Sequence, residues 1–140
     1  MAGSDYVLLE FSPETERRKI QNAVYQFLSE GYYPIIAHME RYQAFQKHPD
    51  FAVEISEMGA YYQLNAGSLL GAAGWSRKRF SKNMLKSGMI QFIATDAHDL
   101  EKRPPEFDKA ENWIEKKFGA EELMTYLAKN PQMILANKAI

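Results

Sequence analysis

Cysteine is absent from this 140-residue chain. That excludes a disulfide framework, a thiolate metal site and a thiol nucleophile, so any phosphate chemistry must use something other than a cysteine. Charge of one sign is also lacking: Lys+Arg 17 stand against Asp+Glu 18, a net charge of -1, so no overall basic excess points to nucleic acid or an anionic membrane. There is no uninterrupted apolar run of the ~18 residues that a membrane span needs, and no basic-then-apolar leader at the N-terminus. Membrane insertion is not expected, and a cytoplasmic location follows by default. What remains is 46% hydrophobic and 25% charged, the composition of one ordinary globular domain, read here as residues 1–140.

Four apolar runs start at Tyr6, Pro34, Tyr61 and Ile90, at intervals of about 28 residues, the length of one βα unit. Helical patterns fill the gaps. Ile20, Ala23, Val24, Phe27 and Leu28 share one face, with Ser12-Pro13 read as cap and first helical residue and Gly31 as the stop. Phe51, Ile55 and Met58 follow Pro49 and stop at Gly59; Phe80, Met84 and Leu85 stop at Gly88 after a glycine-rich loop from Gly67 to Ser76. Pro104-Pro105 opens a helix carrying Phe107, Ala110, Ile114 and Phe118; Leu123 and Leu127 mark another, and Asn130-Pro131 caps a last short one. Alternating β and α at this interval predicts an α/β fold, a parallel sheet with right-handed crossovers.

A parallel sheet gathers the C-terminal ends of its strands on one face, where α/β enzymes keep their chemistry. Glu10, His38, Asn65, and Asp96 with His98, stand at those four ends. Oxygen and imidazole donors suit manganese, iron or zinc. Arg41, three residues past His38, has a guanidinium fork suited to phosphate. Each residue also has a plainer reading: His38 as a hydrogen-bonded histidine, Asp96 as a helix cap, Glu10 as a lysine partner, Asn65 as a turn residue. Ser68 has no general base beside it in sequence, and His48 sits in a polar stretch.

Four ordered segments carry a resemblance: Tyr6–Phe11 with Glu10, Ile35–Tyr42 with His38 and Arg41, Leu64–Leu69, and Phe92–Asp99 with Asp96 and His98, followed by Arg103-Pro104-Pro105. Together they resemble the bacterial capsule and exopolysaccharide tyrosine phosphatases, manganese-dependent members of the polymerase-and-histidinol-phosphatase (PHP) superfamily. The resemblance implies a distorted, TIM-like (β/α)7 barrel with divalent metals at its C-terminal strand ends. Glu10, His38, Asp96 and His98 would be metal ligands, Arg41 and Arg103 phosphate-contacting catalytic residues. The implied reaction removes phosphate from tyrosines of a polysaccharide-export autokinase by metal-bound hydroxide.

Such enzymes begin with a His-x-His strand, and none precedes Tyr6 here. The expectation is therefore the C-terminal half of the barrel, weak or inactive alone and prone to self-association through its open edges. Either an added start or a natural truncation would account for Met1-Ala2-Gly3-Ser4. Two other functions fit the residues: a non-catalytic α/β binding module, and a PHP-type phosphoesterase acting on a small phosphorylated metabolite.

Overall fold

Tyr6-Val7-Leu8-Leu9 and the three later apolar runs become strands of one sheet because each alternates between a face packed on the helices and a face carrying a smaller apolar cluster. In the computed structural model, which describes residues 1, 3–97 and 107–140, these are β1 (Tyr6–Leu9), β2 (Tyr33–Ile36), β3 (Tyr61–Asn65) and β4 (Phe92–Ala94). They lie in sequence order, β1-β2-β3-β4, and every pairing is parallel: Tyr6 opposite Tyr33, Ile35 opposite Tyr61, Gln63 opposite Phe92. The α/β parallel-sheet expectation is met.

On the helix side, Leu9, Ile36, Tyr62, Leu64 and Ile93 enter the main core with Ile20 and Val24 of α1 (Arg17–Ser29), Phe45 of α2 (Gln43–Lys47), and Phe51 and Ile55 of α3 (Pro49–Glu57). Each such aliphatic side chain contributes about 1.5–3 kcal/mol on burial. Phe45 organises this layer, stacking on Phe51 at 5.3 Å between centroids and meeting Tyr62 edge-on at 5.5 Å. Tyr62 donates its hydroxyl to the Ala52 carbonyl at 2.7 Å, so its buried polar tip is satisfied. The opposite face carries a smaller cluster, Tyr6, Ile35 and Phe92, with Ile134 and Ile140 of the C-terminal segment packed on it.

The remaining helices are α4 (Ala66–Leu70), α5 (Trp75–Lys86), α6 (Asp108–Phe118), α7 (Ala120–Met124) and α8 (Asn130–Leu135), with a π-helical stretch at Thr125–Lys129. Four local expectations change. Asn130 does not cap α8: it lies inside the helix at helical φ and ψ, and its Nδ2 donates to the Gln91 carbonyl at 2.7 Å. Ser12-Pro13 does not cap α1. The Thr15 N–H donates to the Ser12 carbonyl at 2.9 Å, closing a turn, and the helix starts at Arg17. The glycine-rich loop contains α4 and the first turn of α5, since Gly71 and Gly74, both at positive φ, allow the chain to stop one helix and start another. β4 starts two residues late, because Gln91 gives its side-chain oxygen to the Tyr62 N–H at 2.9 Å. Pro104-Pro105 lies outside the described residues, while Gly31, Gly59 and Pro49 hold the roles expected of them. Among the described residues no helix is long and apolar enough to cross a membrane.

Candidate active site at the strand ends

The backbone does something unusual at two of the four strand ends. His38, two residues past β2, has φ 35°, and Asp96, two residues past β4, has φ 57°. Non-glycine residues avoid this left-handed region and concentrate there at functional sites, where surrounding contacts hold them. Those contacts are visible. The His38 N–H donates to Gln63 Oε1 at 2.7 Å. Gln63 Nε2 donates to Asn65 Oδ1 at 3.0 Å, and Asn65 Nδ2 donates to Asp96 Oδ2 at 3.2 Å. Arg41, from the 3-10 turn Met39–Arg41, also donates to Asp96 Oδ2. One hydrogen-bonded line thus runs from the end of β2 across β3 to the end of β4.

The imidazole of His38 is buried and held on both sides. Its Nε2 is 2.9 Å from Glu10 Oε1, and its Nδ1 is 3.2 Å from the Tyr42 hydroxyl. Tyr42 also accepts the Phe11 N–H at 3.1 Å. Burial, with the charges of Glu10 and Glu40 in support, pushes the Tyr42 phenol up to about 12, so it stays neutral and anchors the ring. Placing a cation on Nε2 requires the ring proton to sit on Nδ1, where the Tyr42 oxygen accepts it.

Glu40 is fully buried. Its Oε1 accepts from Ser68 Oγ at 2.8 Å and from the Asn65 N–H at 3.4 Å, while Oε2 has no partner among the described residues. Burial raises its pKa against these bonds and the nearby Arg41 charge. Ser68 therefore does meet a carboxyl group, one that reading along the chain could not find. An acid whose burial favours the protonated form is a poor general base, so the serine remains a structural donor.

A cleft of about 380 Å³ opens over this network, lined by Arg41, Asn65, Ser68, Arg77, Thr95 and Asp96. A groove of about 520 Å³ between α1 and α3 is larger, but its lining, Arg17, Gln21 and Glu54 among others, gathers none of the strand-end donors. The strand-end cleft is the better candidate because its polar groups converge.

Of the six candidate residues, Glu10 meets His38 and Arg41 meets Asp96. His98 and Arg103 lie outside the described residues. The donors suit a hard divalent cation in kind, carboxylates with one imidazole. In number they fall short: among the described residues no three His, Asp or Glu side chains converge as a metal site requires. Asn65 occupies a helix N-terminus without capping it, its side chain spent on Asp96. Reading the sequence gave Gln63, Tyr42, Glu40 and Arg77 no role. A glutamine inside an apolar strand, and a tyrosine four residues past His38, were the available signals.

The family model described as capsular polysaccharide synthesis, CpsB/CapC, matches residues 1–136. The chain is 34% identical over 135 residues to tyrosine-protein phosphatase YwqE of Bacillus subtilis, covering 96% of this chain and 53% of that protein. It is 32% identical over 142 residues to tyrosine-protein phosphatase CpsB of Streptococcus pneumoniae, covering 98% and 58%. A crystal structure from a study of YwqE and CpsB, described there as unique metal-dependent tyrosine phosphatases, superposes with a TM-score of 0.87 at 33% identity, covering 98% of this chain and 55% of that one. The chain therefore spans about half the length of the curated relatives it matches.

Proposed function

The chain belongs to the CpsB/CapC family of capsular polysaccharide synthesis proteins, and from that premise we propose that it forms the C-terminal half of a metal-dependent tyrosine phosphatase. In this reading residues 1–140 are one unit, the second half of a distorted PHP-type (β/α)7 barrel, with its substrate face at the strand ends. The observation that carries it is the line from His38 through Gln63 and Asn65 to Asp96 and Arg41, which ties metal-type donors to a phosphate-type donor. Glu10, His38 and Asp96 would hold the cation, joined by His98. Manganese is the first ion to test, iron or zinc the alternatives. When bound, the ion polarises a phosphoryl oxygen and makes water a stronger acid.

The chain's own side chains do the rest. Arg41 carries five N–H donors, so one carboxylate does not exhaust it, and it can hold phosphate oxygens beside Asp96. Arg103 would be its counterpart. Tyr42 keeps the His38 ring oriented, its hydroxyl oxygen accepting a hydrogen bond from Nδ1–H when Nε2 is occupied. The substrate class is a phosphotyrosine-bearing protein in the cytoplasm, with a polysaccharide-export autokinase as the candidate. A half-set of ligands should bind metal weakly and turn over slowly by itself.

Thermal melting with and without manganese tests this. A rise in Tm that disappears in His38→Ala and Asp96→Ala supports the site; no shift at millimolar manganese overturns it in favour of a metal-free binding module. Rapid hydrolysis of a phosphotyrosine analogue by the isolated chain would refute the half-site reading.

A further inference from the structure

Helix α5, WSRKRFSKNMLK, carries Arg77, Lys78, Arg79, Lys82 and Lys86 and no acid, in a chain whose net charge is only -1. Lys78, Lys82 and Lys86 repeat every four residues, so like charges stack along one side, an arrangement that weakens a helix. Lys82 feels it: its pKa is lowered first by desolvation and then by Lys78 and Lys86. Among the described residues no carboxylate forms an ion pair with any of the five cations. Two tryptophans border the stripe. Trp75, 72% exposed, lies under the Arg79 guanidinium at 5.5 Å, and Trp113 of α6 lies 4.2 Å from the Lys82 ammonium. Trp75, Lys78, Arg79, Lys82 and Lys86 line a shallow groove of about 250 Å³.

The stripe begins where the strand-end cleft ends. Arg77, in the first turn of α5, lines that cleft with Arg41, and Trp75 starts the stripe two residues earlier. We propose that the Trp75–Lys86 stripe is a docking surface for acidic residues flanking the phosphotyrosine of a substrate polypeptide. The inference rests on the phosphotyrosine reading of the cleft for where the peptide begins. Its dimensions match: cations four residues apart on a helix rise about 6 Å, close to the ~6.8 Å between alternate residues of an extended strand. A bilayer is the poorer partner. Phe80 and Met84 pack on the core and Leu85 is buried within it, leaving α5 no apolar face to insert.

Trp75 and Trp113 are the only two tryptophans, so intrinsic fluorescence reports the stripe directly. Three peptides are titrated into the whole chain: a phosphotyrosine peptide with glutamate at alternate flanking positions, the same peptide unphosphorylated, and the phosphotyrosine peptide with glutamine in place of glutamate. Both glutamate peptides should perturb the fluorescence, with affinity falling as salt rises. Arg79→Gln/Lys86→Gln should weaken them about tenfold, at about threefold for each screened pair. Both residues are exposed and the double variant relieves repulsion, so its Tm should not fall. Arg79→Glu/Lys86→Glu should weaken binding further.

Equal affinity for the glutamate and glutamine peptides, or no effect of either double variant, overturns the docking surface and leaves the phosphotyrosine reading intact. Glutamate-peptide binding that ignores the phosphate sinks the phosphotyrosine reading and leaves the acidic surface standing. Binding to phosphatidylserine vesicles with no response to either glutamate peptide overturns the proposal in favour of a membrane.

Discussion

Replacing Gln63 by leucine should loosen the strand-end site more than any surface change near it. Gln63 is buried on β3 and makes three hydrogen bonds: it accepts the His38 N–H at 2.7 Å and donates to the Leu64 carbonyl at 2.6 Å and to Asn65 Oδ1 at 3.0 Å. Leucine fills similar volume and keeps none of them. A buried N–H left without an acceptor costs about 1–3 kcal/mol, and the weakened Asn65 contact costs about 1 more. The added apolar surface returns about 1 kcal/mol. The net loss is about 2 kcal/mol, a Tm drop of about 8 °C at this chain length. Far-UV circular dichroism melts measure the drop, and amide hydrogen exchange locates it, since His38 N–H should lose protection. Because His38 sits at φ 35°, freeing its N–H lets the backbone relax and draws the imidazole off Glu10, so any manganese-induced stabilisation should shrink too. An unchanged Tm together with a still-protected His38 amide would refute the clamp.

Other consequences can be checked with the same material. Glu40 has a pKa raised by burial, so protonation favours the folded state. Its contribution is fully present below the unfolded value of about 4.5 and is lost as pH rises through the folded one. Glu40→Gln should therefore raise Tm relative to the parent at pH 7–8 and much less at pH 4, and a pH-independent difference would contradict it. Leu8 is 53% exposed on β1, which pairs with β2 alone among the described strands. Self-association is the expected result of that edge, and Leu8→Lys should reduce the mass seen by light scattering. A parent chain that is strictly monomeric at high concentration would remove the basis for a barrel-like pairing.

Much of this fold was legible in the chain because its signals are local. The period of strand and helix needs only neighbours in sequence, as do the stops at Gly31 and Gly59 and the start at Pro49. The strand-end placement of Glu10, His38 and Asp96 then follows from the topology. Ser12-Pro13 and the Gly71–Gly74 break were misread although their causes are local; elsewhere a distant group took a local role. Gln91 delays β4 by bonding to β3, and Asn65 leaves its helix N-terminus uncapped because Asp96 claims its side chain.

The sequence by itself determined the α/β class, the parallel sense of the sheet and the kinds of donor available, since these depend on apolar spacing and residue chemistry. Only the tertiary structure decided which donors meet. Glu10 and His38 are 28 residues apart and Arg41 and Asp96 are 55 apart, and nothing in a linear pattern encodes a contact across that span. The physical reason is that hydrogen bonds act over about 3 Å. Folding alone brings Gln63, Asn65 and Tyr42 within that reach and makes them the support on which the candidate site stands.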